Sequence, residues 1–275
     1  MSFHKFIPHI EAARLAGEET LRAAGLELEP AEVTYAVEAH RWFWKPQKTA
    51  FLFIADSTVF TSAADLAVPA WLPYHQAITP EFAAPETVPP KEYVGHIYCP
   101  GFGEIQMQNH VDASSQGVIQ ELWRIVEFGF KDIPPQPGIG VLPHDIARLK
   151  RRCDVLRHFQ AESLWLLDAS VHATYRGVGN GLPEGQRRLH DDVAGELHIQ
   201  WWTRYGKPLI NYLREKEDQE LSVWIVGETL HKRLMRHNHP LTDFPDTHKR
   251  WIGLNQPPEN EKTYYKERVM KALQH

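Results

Sequence analysis

Three short apolar runs, each closing on a small or acidic residue, constrain this chain more than anything else in it: TAFLFIAD at 49–56, SLWLLD at 163–168 and LSVWIVG at 221–227. An unbroken apolar run of this length suits a strand covered on both faces, as in a parallel sheet flanked by helices. Segments with helical spacing separate the runs. Ile10, Ala13, Leu15, Leu21 and Ala24 recur through 8–25, a second short helix fits 31–41, and Val118, Ile119, Leu122, Ile125 and Val126 share one face across 113–129. Further helices are expected over 143–160, beginning at Pro143, over about 192–215, over 228–235 and over about 263–273. The segment 93–99 (YVGHIYC) fits a short strand, and 250–254 (RWIGL) a last one. This alternation predicts an α/β fold, a three-layer α/β/α arrangement around a central, mostly parallel, four-stranded sheet. The 275 residues are expected to form a single domain with a helical lead-in over 1–45. The Pro- and Ala-rich stretch 66–91 keeps no period and is expected to be a long loop or lid.

Composition narrows the function classes. Hydrophobic residues make up 43% and charged residues 24%, enough for a core and unlike a disordered chain. No apolar run approaches the ~18 residues of a membrane span, and the opening MSFHKFIPHIEAARLAGEE has no apolar signal core, so a cytoplasmic protein with no membrane partner is expected. Cys99 and Cys153 alone rule out a four-cysteine metal site and argue against a disulfide framework. A net charge of −5, from 30 Lys and Arg against 35 Asp and Glu, argues against a coat of phosphate-binding charge but leaves room for a local basic face. Two stretches qualify, 148–157 and the run from His231, Lys232 and Arg233 through Arg236 and His237 to His239, followed by 248–250. The pair His237 and His239 would reach one metal only from an extended segment, and no H-E-x-x-H pattern supplies a third ligand, so no metal is expected. GVGNG at 177–181 lacks the ending of a phosphate loop, and neither Ser57 nor Ser170 lies in G-x-S-x-G.

In an open parallel sheet ligands bind outside the carboxyl ends of the strands, which directs attention to 56–60, 168–172, 227–229 and 255–258. The ordered signals there resemble the uracil-DNA glycosylase superfamily. FLFIADSTVF stands where that family's first strand ends in G-Q-D-P-Y-H or G-E-x-P-G, and YCPGFGE is similar to the segment bearing its aromatic stacking residue. LWLLDAS resembles the second strand ending L-L-N-T. HIQWWTRYGKPLINYL and VWIVGETLHKRL match its long helix and third strand, and RWIGLNQPPENEKTYYKERVMKAL its last strand, H-P-S-P turn and terminal helix. The resemblance covers about 40–273 and lies in the order of the motifs.

The resemblance implies an enzyme that hydrolyses the N-glycosidic bond of a damaged or modified base, with DNA as the nucleic-acid partner and no metal or cofactor. Asp56 takes the place of the catalytic acid, beside Ser57, and a fixed anion there would stabilise a sugar cation and orient water. Phe102 would stack on an extruded base. Asp168 replaces the uracil-reading Asn, with Ser170 nearby; a carboxylate only accepts hydrogen bonds, so it suits a base amino group rather than uracil O4. Asn255 and Gln256 replace the family's His and would assist the departing base as neutral donors. Lys232, Arg233, Arg236 and His237 fall where the family contacts the DNA backbone. Structural alternatives stand beside these roles: Asp56 as a cap for a helix or loop amides, and Asp168 as an acid paired with an arginine or a loop amide. The alternative function is a non-catalytic member of the fold that binds nucleic acid or a protein. The sequence does not set the oligomeric state.

Overall fold

A computed structural model describes residues 3–56, 58–67, 90, 92–99, 102, 146–176, 182, 186–216, 220–226, 228–237, 239–240 and 250–252. The class is mixed α/β. Strands β1 (Phe51–Ala55), β2 (Leu164–Asp168) and β3 (Ser222–Val226) form a parallel sheet with β1 in the middle. Phe51 stands opposite both Leu164 and Ser222, and Ala55 opposite Asp168. A three-residue strand, β4 (Arg250–Ile252), runs parallel beside β3 with Arg250 opposite Trp224.

The helices are α1 (Ile7–Ala23), α2 (Ala31–Phe43), α3 (Ala63–Leu66), α4 (Ile146–Ala161), α5 (Asp191–Trp201), α6 (Lys207–Lys216) and α7 (Glu228–Arg236). Parallel neighbours need crossovers, and α4 leads into β2 while α5 and α6 lead into β3. Every residue of β2 is buried, as a strand covered on both faces must be. Alternation along the strands sends Trp165 against Trp42 of α2, with ring centroids 5.1 Å apart edge to face, while Phe53 meets Trp224 at 5.6 Å. Each such side chain contributes roughly 1.5–3 kcal/mol by leaving water.

Two segments depart from expectation. Residues 93–99 form a chain of bends and turns rather than a strand. Two of their amides bond locally, His96 N–H to Val94 O at 2.8 Å and Cys99 N–H to His96 O at 2.9 Å, while Thr61 Oγ1 accepts the Gly95 amide at 2.8 Å and the Gly95 carbonyl accepts the single Val59 amide at 2.9 Å. Gly95 is required there, since a Cβ would lie 2.7 Å from the Val59 carbonyl oxygen. The long helix expected over 192–215 contains a π-helical turn at Trp202–Gly206, which joins α5 to α6.

Most of 66–91, the helices expected over 113–129 and 263–273, and residues 177–181 and 255–258 lie outside the described residues. Among the described residues no helix is long and apolar enough to cross a membrane.

Candidate functional site

Asp56 follows the last residue of the central strand, and two helices converge on it. His198 of α5 donates Nε2–H to Asp56 Oδ1 at 3.1 Å, and Arg233 of α7 donates Nη1–H to the same oxygen at 2.8 Å. Arg233 also grips Asp191 Oδ1, through Nε at 3.1 Å and Nη2 at 2.9 Å, and Arg236 Nη1 reaches Asp191 Oδ2 at 2.6 Å. The helical repeat explains the convergence. Asp191 and His198 are seven residues apart, two turns, so both face the same side of α5; Arg233 and Arg236 are neighbours one turn apart on α7. Asp191 also opens α5, where an acid complements the helix dipole.

Burial acts to raise the Asp56 pKa, but the His198 hydrogen bond and the Arg233 and Arg188 charges outweigh it and hold the carboxyl below its ordinary range. The His198 and Arg233 side chains are buried at 1% and 3% exposure, while the Asp56 side chain keeps 24%. Both donors meet Oδ1. Oδ2 has no hydrogen-bond partner among the described residues, so an anchored, ionised carboxylate presents one free oxygen at a strand end.

Asp168 is differently engaged. It stands opposite Ala55, one position short of Asp56, and successive side chains of a strand alternate between faces. Asp168 Oδ2 accepts from Arg41 Nη2 at 2.5 Å and from His96 Nε2–H at 2.9 Å. Arg41 reaches Glu38 through Nη1, Tyr205 OH donates to Glu38 Oε2 at 2.7 Å, and Trp42 Nε1–H donates to Tyr205 OH at 3.2 Å. The Tyr98 amide donates to His96 Nδ1 at 3.3 Å, which matches a neutral ring carrying its proton on Nε2. Burial lowers the His96 pKa despite Asp168 and so favours that neutral form. Asp168 itself is pushed up by burial but pulled further down by Arg41 and His96, whereas burial wins at Glu38 and raises it. Apart from half-buried Trp42, the group is buried. Asp168 is thus an acid paired with an arginine, with no hydrogen bond or ion pair to Asp56 among the described residues.

The remaining expected residues scatter. Ser170 is buried and closes its own turn, donating Oγ–H to His172 O at 2.8 Å and accepting His172 N–H at 3.0 Å. Phe102 is half-buried with its ring 6.5 Å from that of Tyr93, and its carbonyl accepts from Arg152. Lys232 is exposed, and the Arg236 side chain is 60% exposed while held by Asp191. Arg233 faces inward to Asp56 and Asp191 instead of outward to a phosphate. The His237 ring lies on Gly195 of α5, where a Cβ would come within 2.4 Å of Nε2. Ser57, Asn255 and Gln256 lie outside the described residues.

Several partners escape sequence reasoning. His198, Arg41 and His96 belong to segments 142, 127 and 72 residues away from the acids they hold, and no local pattern marks them. Glu29 is another. It is buried and accepts the Thr61 amide at 2.9 Å and the Ala173 amide at 3.0 Å, fastening the loops after β1 and β2 together. Burial raises its pKa to about 7 against those two hydrogen bonds. Among the described residues no three His, Cys, Asp or Glu side chains cluster so as to hold a metal ion. Comparison with protein-family models, with curated proteins and with solved structures returned no match to this chain.

Proposed function

We propose that this chain is a uracil-DNA glycosylase-like hydrolase, with a four-stranded sheet in that family's order, that cleaves the N-glycosidic bond of a damaged or modified base in DNA. One observation carries the reading: Asp56 Oδ2, without a hydrogen-bond partner among the described residues, on a carboxylate fixed by His198 and Arg233 and partly open to solvent at the end of the central strand. In the reaction the C1′–N bond breaks and its electron pair leaves with the base, while water oxygen bonds to C1′. A carboxylate held below its ordinary pKa is a poor proton acceptor but a durable anion. Its role is therefore to stabilise the cation-like sugar and to orient water by accepting its hydrogen bond, the surplus proton passing to solvent. Phe102 is assigned to stacking on the base, and Asn255 and Gln256 to donating to it as it departs.

Exposure of the purified protein to oligonucleotides bearing uracil, hypoxanthine, xanthine or alkylated bases tests this. Abasic sites are expected for at least one, and Asp56→Asn should abolish them while circular dichroism stays unchanged. Base release that survives the substitution defeats the assignment.

A specific observation favours a second reading, a non-catalytic member that binds nucleic acid or a protein. Asp168 is committed to Arg41 and His96, and Ser170 to its own turn, so neither is free to read a base edge. Salt-dependent binding of DNA without base release from any lesion would select that reading.

A further inference from the structure

Residues 186–190 are laid as an extra chain on the loops that follow β1 and β2. Val59 bridges Tyr175 in parallel, and Tyr175 bridges Arg188 antiparallel. Backbone hydrogen bonds lock this ribbon: Phe60 N–H to Tyr175 O at 2.9 Å, Arg176 N–H to Arg187 O at 2.8 Å and Leu189 N–H to Thr174 O at 2.9 Å. Leu189 is buried with Leu21, Ala194 and Leu197, which anchors the ribbon from below.

Side chains alternate along extended backbone, so Arg188 projects from the side opposite to Arg187 and Leu189. Cross-strand pairing puts it beside Tyr175, its guanidinium carbon 5.9 Å from the ring centroid, within cation–π range. Arg188 is exposed and has no ion pair or side-chain hydrogen bond among the described residues, and Tyr175 is half-buried. Arg188 is also near enough to act on the Asp56 carboxyl. Beside Asp56, Arg233 is held by Asp56 and Asp191, and Arg236 by Asp191. Arg188 is left to meet an outside anion.

We propose that Tyr175 and Arg188 form a nucleotide-contact subsite on the loops beside Asp56, Arg188 taking a phosphodiester oxygen and the Tyr175 ring the face of the adjoining base. This rests on the reading of a nucleic-acid substrate and adds to it the residues that hold the strand. A guanidinium steadied on a ring meets phosphate with paired N–H donors at reduced entropic cost, and every base offers a π-face to an aromatic.

The test is fluorescence anisotropy of the intact protein with short labelled single strands of DNA and of RNA, from about 50 to 200 mM salt. Arg188→Ala should weaken binding and flatten the slope of log affinity against log salt by about 0.7, one phosphate contact on a single strand. Tyr175→Ala should weaken binding about tenfold with the slope kept, and Tyr175→Phe should retain affinity. Arg187→Ala, on the other side of the ribbon, should change neither quantity. Preference for DNA or for RNA identifies the strand bound. An Arg188→Ala protein with the wild-type slope, or an Arg187→Ala protein that loses as much as Arg188→Ala, overturns the subsite. Wild-type protein that binds neither strand removes the subsite and the nucleic-acid reading together, whereas base release that depends on Asp56 but not on Arg188 overturns the subsite alone.

Discussion

Replacing Arg41 by Met keeps most of the side-chain stem and removes the cation at the centre of the Asp168 cluster. Among the described residues, Asp168 then retains His96 alone and Glu38 Tyr205 alone. Removing one member of a buried pair typically costs about 3–5 kcal/mol, because the other charge stays in the interior uncompensated. Glu38 adds little to that cost, since burial already raises its pKa and favours the neutral acid. Asp168 therefore bears most of it. For a chain of this size the melting temperature should fall by about 6–20 °C, at about 2–4 °C per kcal/mol. The pH dependence supplies the sharper criterion. In the wild type the folded pKa of Asp168 is depressed, so its contribution is present above the unfolded pKa and lost as pH falls through the folded one. Without Arg41, burial raises the folded pKa, and a penalty grows as pH rises through the ordinary carboxylate range. The two proteins should thus differ most near pH 7 and draw together only as pH falls below the ordinary carboxylate range, through the depressed folded pKa of the wild type. Urea denaturation followed by tryptophan fluorescence at several pH values measures this. A loss below about 1 kcal/mol at pH 7, or one that is the same at every pH, would refute the idea that Arg41 neutralises a buried Asp168.

Two further substitutions address the supports of the strand ends. Burial lifts Glu29 from 4.5 to about 7, so its folded state binds a proton that the unfolded state has lost, and stability should decline across that window by on the order of 3 kcal/mol. Glu29→Gln cannot titrate and should lack this decline; denaturation curves from pH 4.5 to 7.5 with equal slopes for both proteins would count against the clamp. Gly195→Ala would set a Cβ 2.4 Å from His237 Nε2, and displacing that ring should offset the roughly 0.5–1 kcal/mol that Ala gains over Gly inside a helix, leaving no net gain in thermal or chemical unfolding. A variant stabilised by that full amount would mean that His237 does not rest on α5.

The strands are legible in the sequence because a strand buried on both faces has to be apolar throughout, and nothing else in FLFIA or LWLLD competes with that reading. Asp56 and Asp168 stand out for the complementary reason, as charges at the ends of apolar runs. Their partners do not. Arg233 is visible as one member of a basic run, and the pattern says only that it is cationic; that it turns inward to Asp56, 177 residues earlier, depends on how α7 packs on β3 and α5. The segment 93–99 misleads because its apolar residues are buried, as a strand's would be, while its amides bond locally and to Thr61. The π-helical turn at Trp202–Gly206 likewise has no periodic signature. It is accommodated because Gly206 leaves space beneath Trp201, where a Cβ would lie 2.6 Å from Cη2.

Arg41 and Glu38 lie on one helical turn and are already joined to each other, whereas Asp168 comes 127 residues after Arg41. At about 5–20 residues per second of synthesis, Arg41 would wait about 6–25 s on the ribosome for that acid. Through this interval the two side chains can serve each other as counter-ions, a local truce that keeps a guanidinium destined for the interior from recruiting the wrong carboxylate before its distant one is made.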